Sequence, residues 1–231
     1  MAKKKLARFA EMRQFDNVIE ATAEEVLNSR HPLYGRWTDG FFGSQGPITL
    51  ELGCGKGEYT VQMAKMFRER NFLGVDIKGA RMWKGARQAV EEGIMNAGFL
   101  RTRIEMISSF FAPGEIDQIW LTFPDPQLKK ARKRLTSAAF LNRYRRFLRE
   151  GGTVHLKTDS IELHDYTLSV IQENGLETED ATDDLYGRGE TSEILSIKTF
   201  YEQQYLDQGK PISYLRFRLD GPPEITEPDE E

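Results

Sequence analysis

LELGCGKGEY, residues 50–59, places three glycines between an apolar run and a segment with helical spacing. Gly53, Gly55 and Gly57 allow a tight turn in which a ligand can approach the backbone at the N-terminus of the following helix. A glycine cluster alone does not separate a ligand-binding loop from an ordinary turn. The stretch therefore predicts a strand, a glycine turn and a helix, and leaves the role of the turn to its neighbours.

Two carboxylates beside the glycine turn favour ligand binding. Asp76 ends the next predicted strand, at the distance along the chain where an acid reaches a ribose diol. Glu51 lies inside the first strand, two residues before the first glycine. Together the two acids favour a ligand that carries both a ribose and positive charge.

A dinucleotide-binding enzyme is the first alternative, and the spacing of the turn disfavours it. The pyrophosphate fingerprint G-x-G-x-x-G requires glycine where this chain has Glu58 or, in the other register, Thr60. A carboxylate at this helix N-terminus would repel a pyrophosphate and attract a cation. The pattern E-x-G-x-G-x-G instead resembles the first motif of the Rossmann-like methyltransferases, whose cofactor S-adenosylmethionine carries a sulfonium and an ammonium.

Strand-like and helix-like segments alternate on both sides of the glycine turn. The predicted strands are 47–54, 71–77, 99–107, 116–123 and 153–159, and the predicted helices are 58–70, 79–93, 137–152 and 163–175. Segments 193–205 and 211–219 are expected to run antiparallel at one sheet edge. The fold class is therefore α/β, a Rossmann-like, mostly parallel open sheet with helices on both faces and an antiparallel edge strand near the C-terminus.

Composition limits the class of protein and its surroundings. We expect a basic, partly flexible arm at 1–40, a methyltransferase domain at 41–220 and an acidic tail at 221–231. No apolar run approaches the roughly 18 residues of a membrane span, and no secretory signal follows the basic start. The single cysteine, Cys54, suits a reducing cytoplasm. The three histidines have no metal-type spacing, so no metal is expected.

Charge is strongly segregated although the net charge is only −4. Nine Lys or Arg and no Asp or Glu occur from Lys129 to Arg149, whereas the acids gather at 177–184 and 222–231. A one-signed run of this length is not explained by pairing along a helix, although runs of charge are often no more than a solvated face. The segregation predicts one surface that meets a polyanion.

Asp125 lies between two prolines at the end of the predicted strand 116–123. In an open α/β sheet, ligands bind outside the carboxyl ends of the strands, so we expect Asp125 beside the reactive end of the cofactor. Pro124 and Pro126 restrict the flanking backbone. The alternative is that Asp125 only caps a turn, since Pro-Asp-Pro is good turn chemistry.

Five segments together resemble the bacterial tRNA (guanine-N7-)-methyltransferases. They are LELGCGKGEY, GVDIKGARMWKGA, FPDPQLKKARKRL, LKTDSIELHDY and KTFYEQQYLDQGKPI, and the likeness runs from about residue 35 to 219 in the order of the family. The resemblance implies methyl transfer from S-adenosylmethionine to N7 of a guanine in the variable loop of tRNA, at position 46. It also implies a cytoplasmic enzyme with tRNA as its partner, either a monomer or a homodimer.

The resemblance also implies the site residues. Asp125 is the expected catalytic residue. The expected cofactor contacts are Glu51, Gly53, Gly55, Asp76, Arg103 and Asp125, and the expected substrate contacts are Lys129, Asp159, Thr199, Phe200, Tyr201 and Glu202. After the third strand, Arg103 or Glu105 corresponds to the residue near the adenine.

The basic stretch departs from the pattern of the family at three points. Gln127 stands in place of a tryptophan, Ala131 replaces an arginine, and the stretch is about two residues shorter. These differences affect the expected contacts with RNA, whereas the expected class of reaction is the same. One remaining alternative is an S-adenosylmethionine-dependent methyltransferase that acts on another RNA, or on a small molecule or a protein, and the latter two substrates need no basic run. Another is an RNA-binding module that has lost catalysis. Such a module would be expected to have lost Glu51, Asp76 or Asp125, and all three are present.

Overall fold

The apolar runs of the sequence form the strands of one eight-stranded sheet in the computed structural model, which describes residues 2–27 and 29–228. The strands are β1 Val18–Glu20, β2 Ile48–Leu52, β3 Asn71–Asp76, β4 Ala97–Arg101, β5 Ile116–Thr122, β6 Leu148–Thr158, β7 Thr178–Thr182 and β8 Ser213–Arg218. The helices are α1 Ala2–Met12, α2 Ala23–Leu27, α3 Glu58–Met66, α4 Gly79–Glu91, α5 Ala138–Tyr144, α6 Ile161–Glu173 and α7 Phe200–Asp207.

The strand order is β1-β4-β3-β2-β5-β6-β8-β7. Strands β1 to β6 pair in parallel, and β8 pairs antiparallel with both β6 and β7. The chain therefore moves outward from β2 in one direction and then restarts at β5 on the other side of β2. This confirms the predicted fold class and places the topological switch point, where ligands bind in such sheets, between β2 and β5.

The sheet is covered on both faces. Residues of α1, α3 and α4 pack with Phe72, Phe99 and Trp120 on one face. Residues of α2, α5 and α6 pack with the opposite side chains, such as Leu50 and Leu73, on the other face. No helix in the described part of the chain combines the length and apolar character that a membrane crossing requires.

Two predicted elements have different bounds from those expected. The strand predicted at 99–107 ends at Arg101, and a 3-10 helix occupies Ile104–Ser109. The helix predicted at 137–152 stops at Tyr144, and β6 already begins at Leu148. In both cases an apolar run continues through a change of secondary structure, because both parts bury side chains in the same core.

The expectation that 193–205 is an edge strand is wrong. This segment forms a 3-10 helix at Glu193–Ser196 and then α7. The antiparallel partner of β8 at the sheet edge is β7, from the acidic part of the sequence. A side-chain hydrogen bond between β7 and β8 supports this pairing, because Glu179 of β7 accepts from Arg218 Nε of β8 at 2.7 Å.

Segments near both ends of the described chain pack against the sheet domain. Helix α1 lies on α4, where a side chain at Gly79 would come within 2.8 Å of Met12. Strand β1, which the sequence did not predict, adds to the sheet beside β4. Near the C-terminus, Asn142 Nδ2 donates to Ile225 O at 2.7 Å. The division into arm, domain and tail stays a prediction, and residues 229–231 of the expected tail lie outside the described residues.

Candidate active site

The predicted site lies at the carboxyl ends of the parallel strands, on both sides of the switch point. A cavity of 440 Å³ opens there. It is lined by Glu51, Gly53, Cys54, Gly55, Lys56, Glu58, Asp76, Lys78, Arg81, Thr122, Phe123, Pro124, Asp125, Leu135, Thr199, Tyr201 and Tyr205. The topology thus brings together side chains that are separated by up to 154 residues in the sequence.

The glycine turn forms the floor of this cavity. Gly53 and Gly55 have φ of 82° and 56°, in the left-handed region that favours glycine. A Cβ placed on either residue would have no neighbouring atom closer than 3.9 Å, so the backbone there faces open space. Gly57 differs, because a Cβ on it would lie 2.5 Å from the Phe99 ring. Gly53 and Gly55 are therefore exposed to a ligand, whereas Gly57 is required by packing.

Asp76 is held at the end of β3 by two backbone amides. Its Oδ2 accepts from Gly55 N at 2.9 Å and its Oδ1 accepts from Lys78 N at 2.7 Å. One carboxylate thereby fixes the glycine turn relative to β3. Each carboxylate oxygen retains a further lone pair, and Asp76 lines the cavity.

Glu51 is buried at the end of β2, with only 2 % of its surface exposed. Its Oε2 accepts from Thr60 N at 2.8 Å and from Thr60 Oγ1, and its Oε1 accepts from Thr122 Oγ1 at 2.6 Å. Burial raises the pKa of Glu51 to about 7, although these hydrogen bonds oppose the rise. A cation in the cavity would favour the ionised carboxylate and lower this pKa.

The raised pKa of Glu51 predicts a pH-dependent stability in the absence of ligand. The folded protein retains a proton that the unfolded chain releases near pH 4.5, so the free energy of unfolding falls as pH rises from 4.5 to about 7. Glu51→Gln removes this loss. Relative to the parent, the variant should gain about 3 kcal/mol between pH 4.5 and 8.

Urea denaturation of parent and variant at pH 5 and pH 8 measures this difference. Glu69→Gln is the matched control, because Glu69 is an exposed carboxylate and its replacement should leave the pH dependence unchanged. Equal pH dependence in the Glu51→Gln variant and the parent would show that the Glu51 pKa is not raised.

Asp125 lies in a turn with unusual backbone geometry. Phe123 has φ of 51° and Gln127 has φ of 48°, a region that side chains other than glycine rarely adopt. Phe123 N donates to Lys157 O at 2.8 Å, and Gln127 N donates to Asp125 Oδ1 at 3.0 Å. Left-handed residues of this kind cluster at functional sites, where the surrounding structure has to hold them in place. The Asp125 side chain is exposed and lines the cavity.

A second cavity of 440 Å³ adjoins the first, and the two share Gly53, Asp76 and Leu135. Arg103 and Glu105 both line it, and both are exposed. The structure therefore brings both candidates for the adenine contact to the same place, and the choice between them stays a prediction.

The late segment of the sequence covers one side of the first cavity. Thr199 and Tyr201 line it, at the N-terminus of α7. Phe200 N donates to Glu58 Oε2 at 3.0 Å, and Lys56 Nζ lies 3.9 Å from the centre of the Phe200 ring. The candidate substrate segment is thus attached to the glycine turn and to the first turn of α3.

Four expected substrate residues lie outside the cavity lining: Phe200, described above, and Glu202, Asp159 and Lys129. Glu202 is completely buried, with an ion pair from its Oε1 to Lys157 Nζ at 2.7 Å. Asp159 follows β6 and is half-buried, and burial raises the pKa of its carboxyl. Lys129 is exposed beyond the Asp125 turn. In this conformation Lys129 and Asp159 are accessible to a substrate, whereas Glu202 is not because it has no exposed surface.

Seven of the nine cations in the basic run 129–149 fall into two groups, and Arg143 and Arg146 belong to neither. Arg134 donates to Pro126 O at 2.9 Å, Arg145 bonds to Pro222 O, and Arg149 pairs with Asp117 at 2.7 Å, so these three hold the protein together. Four other cations next to the cavity are exposed and have no acidic partner within 4 Å among residues 2–27 and 29–228: Lys129, Lys130, Arg132 and Lys133. We call these four residues the basic loop.

The sequence reasoning missed several residues of the cavity. Lys78 and Arg81 line its rim close to Asp76, and Tyr205 lines it from α7. Lys78 is the N-cap of the helix that follows the predicted ribose acid, and Arg81 lies in the first turn of that helix. Their closeness to Asp76 in the sequence was the available signal. Tyr205 was not predicted, because a strand over 193–205 would not place it one helical turn after Tyr201.

This topology, with acids beside a glycine turn and at the ends of neighbouring strands, defines a Rossmann-like methyltransferase. The protein family described as "Putative methyltransferase" matches residues 45–215. The solved structure of the 16S rRNA methyltransferase KamB has the same fold, with a TM-score of 0.60 at 15% identity over 78% of this chain and 90% of that one.

Two bacterial relatives identify the family. The chain is similar to the tRNA (guanine-N(7)-)-methyltransferase of Bacteroides fragilis, with 52% identity over 99% of this chain and 91% of the relative. The protein of the same name from Porphyromonas gingivalis is 54% identical over 87% of this chain and 83% of that protein. This chain belongs to the tRNA (guanine-N(7)-)-methyltransferase family.

Proposed function

We propose that this protein transfers the methyl group of S-adenosylmethionine to N7 of a guanine in the variable loop of tRNA. The observation that carries the proposal is the position of Asp125, an exposed carboxylate in the same cavity as the glycine turn and Asp76. Membership of the family supports the reaction class and the RNA substrate. A cytoplasmic location is part of the proposal. It is compatible with the single cysteine, Cys54, which forms no disulfide.

The residues of the cavity fit the methyl donor. S-adenosylmethionine supplies an electrophilic methyl group on a sulfonium, together with an ammonium, a ribose diol and an adenine. The open space above Gly53 and Gly55 would receive the ligand close to the backbone. Asp76 would accept hydrogen bonds from the diol, and the negative charge of Glu51 favours the cationic end. Arg103 or Glu105 would meet the adenine in the second cavity.

The chemistry at guanine needs orientation more than proton transfer. N7 carries a free lone pair, so no base has to remove a proton before attack. Asp125 would orient the base by accepting a hydrogen bond and would stabilise the positive charge that develops on the methylated ring. Alignment of the nucleophile with the methyl group supplies most of the rate, since well-oriented reactions gain about 7–11 kcal/mol.

The basic loop has a separate role in binding the phosphates of tRNA. Its four cations are exposed beside the Asp125 turn and are not neutralised within the described chain. Phosphate contacts position a nucleic acid without reading its sequence. Selectivity would then come from the folded shape of the RNA.

Reversing two charges of the basic loop should weaken tRNA binding and spare cofactor binding. For Lys129→Glu/Lys130→Glu we expect a loss of roughly tenfold or more in tRNA affinity at 0.15 M salt, because phosphates left without cations retain their counterions. The slope of log K against log salt should fall by about one for each lost phosphate contact. Filter binding across a salt series measures both quantities.

The matched control is Arg68→Glu/Arg146→Glu, which reverses two exposed cations at the opposite, amino-terminal edge of the sheet. It makes the same change in net charge but should change tRNA affinity much less. An equal loss in the two double variants would assign the effect to net charge and not to the basic loop.

Nucleoside analysis tests the reaction. The protein is incubated with bulk tRNA and S-adenosylmethionine carrying a labelled methyl group, and the tRNA is then digested to nucleosides. We expect the label in 7-methylguanosine, and none in a tRNA transcript made with 7-deazaguanosine, which lacks N7. Label in another nucleoside, or equal labelling of the 7-deaza transcript, would contradict the proposed function.

A further inference from the structure

Lys157 is a completely buried lysine on β6, next to the candidate active site. Lysine is almost never fully buried unless it is paired, because removing an ammonium from water is unfavourable. Burial lowers the pKa of Lys157, and the carboxylate of Glu202 opposes this shift. Neither the resemblance to the family nor the lining of the cavity assigns a function to the Lys157 side chain.

The ammonium group of Lys157 holds one stretch of chain at several points. Nζ contacts Glu202 Oε1 at 2.7 Å and donates to Leu195 O and Ile197 O, both at 2.9 Å. It also lies 3.3 Å from the hydroxyl of Tyr186, which itself donates to Glu202 Oε1 at 2.6 Å. Apart from the contact with Tyr186, these contacts end on residues 195–202, the stretch that places Thr199 and Tyr201 on the cavity. We call residues 193–207 the cap segment.

The backbone of Lys157 holds a second part of the site. Its carbonyl oxygen accepts from Phe123 N at 2.8 Å, where the strained turn that carries Asp125 begins. The Phe123 ring in turn lies 5.9 Å from the ring of Tyr205 in the cap segment. A single residue is therefore bonded to the Asp125 turn through its backbone and to the cap segment through its side chain.

Glu202 is the partner that makes this arrangement rigid. Its backbone N donates to Thr199 Oγ1 at 3.2 Å and its Oε2 accepts from Thr199 N at 3.3 Å, which is a complete capping box at the start of α7. Its other oxygen is taken by Lys157 and Tyr186. With no exposed surface and donors on both oxygens, Glu202 acts through its neighbours and not by touching a substrate.

We infer that Lys157 and Glu202 are positioning residues, whose buried ion pair holds the cap segment against the Asp125 turn so that the base-binding side of the cavity exists before RNA binds. The inference rests on the proposed function for the identity of the base. It separates two tasks, since the basic loop holds tRNA and the ion pair orders the surface that receives the guanine.

The decisive variant is Lys157→Met/Glu202→Gln. Lys157→Met alone leaves a buried carboxylate without its cation and is expected to unfold more easily. The double variant removes both charges, and glutamine at this position still allows a capping box. The backbone carbonyl that holds Phe123 is unchanged. Glu202→Gln alone is the second variant, and Lys65→Met, which removes a Lys–Glu pair on the outer side of α3, is the control.

Steady-state kinetics and amide hydrogen exchange are measured on each folded variant. For the double variant we expect kcat for tRNA methylation to fall about 10- to 100-fold, with KM for tRNA within threefold of the parent. Amides of the cap segment should exchange at least tenfold faster, and those of β2 and β5 at the parental rate. Glu202→Gln should lower kcat by no more than the double variant, and Lys65→Met should change neither readout.

Several results would overturn the inference. One is a folded double variant with parental kcat or parental exchange in the cap segment. Another is a parental kcat combined with a raised KM for tRNA. A Glu202→Gln variant that loses kcat while the cap segment keeps its parental hydrogen exchange would assign Glu202 to direct contact with the substrate. Hydrogen exchange needs no activity, so an inactive parent protein would contradict the proposed function while this readout still tests the role of the ion pair.

Discussion

Replacing Asp125 by alanine is expected to lower kcat for tRNA methylation by roughly 10²–10³-fold, the usual effect of removing one group that stabilises developing charge. The side chain faces the cavity and is exposed, so its loss leaves no gap in the core. The only hydrogen bond found for its carboxylate in the described part of the chain comes from Gln127 N, at 3.0 Å. The free energy of unfolding should therefore change by about 1 kcal/mol or less.

Single-turnover methylation at saturating tRNA, together with urea denaturation, separates the effect on rate from the effect on folding. Asp125→Asn is the matched control, because its amide oxygen can still accept from Gln127 N while the negative charge is lost. If charge at the reacting base matters, both variants should be slow. If Asp125 only caps a turn, the asparagine variant should be as active as the parent. Parental activity in the alanine variant would also contradict the role assigned to Asp125.

Replacing Asp76 by alanine is expected to weaken binding of S-adenosylmethionine by about 100-fold or more. Hydrogen bonds to a charged acceptor contribute about 1.5–3 kcal/mol each, and a ribose diol offers two. The variant also loses the acceptor for Gly55 N and Lys78 N, so the glycine turn is no longer tied to β3. Isothermal titration with the cofactor, in the absence of RNA, measures the loss directly.

Asp117→Ala is the control for Asp76→Ala. Asp117 also accepts from a backbone amide at a strand end, with its Oδ2 2.9 Å from Ile48 N, but it lies at the amino-terminal edge of the sheet. Its replacement removes a comparable structural contact and should leave cofactor affinity within a few-fold of the parent. Equal losses in the two variants would indicate general destabilisation in place of a ribose contact.

The centre of the fold could be predicted from the sequence because its signals are local. Strands β2, β3 and β5 are short apolar runs, and a glycine turn follows β2. The parallel topology then brings the residues after each of these strands to one edge, which is why Glu51, Asp76 and Asp125 were expected together. Their meeting in one cavity agrees with that expectation, while their contacts with cofactor and base remain proposals.

The cap segment could not be predicted, because what decides its structure lies elsewhere in the sequence. Residues 193–205 have an apolar pattern that is compatible with a strand. Their helical form depends on the capping box between Thr199 and Glu202 and on the ammonium of Lys157, which takes up two backbone carbonyls of the segment. The sequence around Glu202 does not show that this glutamate is buried.

The same limit applies to β7 and to Gln127. β7 lies in an acidic stretch whose pairing depends on Arg216 and Arg218, 37 and 39 residues after Glu179. Gln127, where the family pattern has tryptophan, adopts a left-handed conformation, lines the second cavity and uses its backbone N–H to hold Asp125. Its backbone thus has a clear structural role, and nothing in the structure explains the change of side chain.

Mapping the modified nucleotide in a single tRNA tests the central claim most directly. A tRNA transcript with guanine in its variable loop is incubated with the protein and S-adenosylmethionine and then cleaved chemically at N7-methylguanine. We predict one new cleavage site, in the variable loop, and its loss when Asp125→Ala replaces the parent protein. No new cleavage, or cleavage only at guanines outside the variable loop, would contradict the assignment.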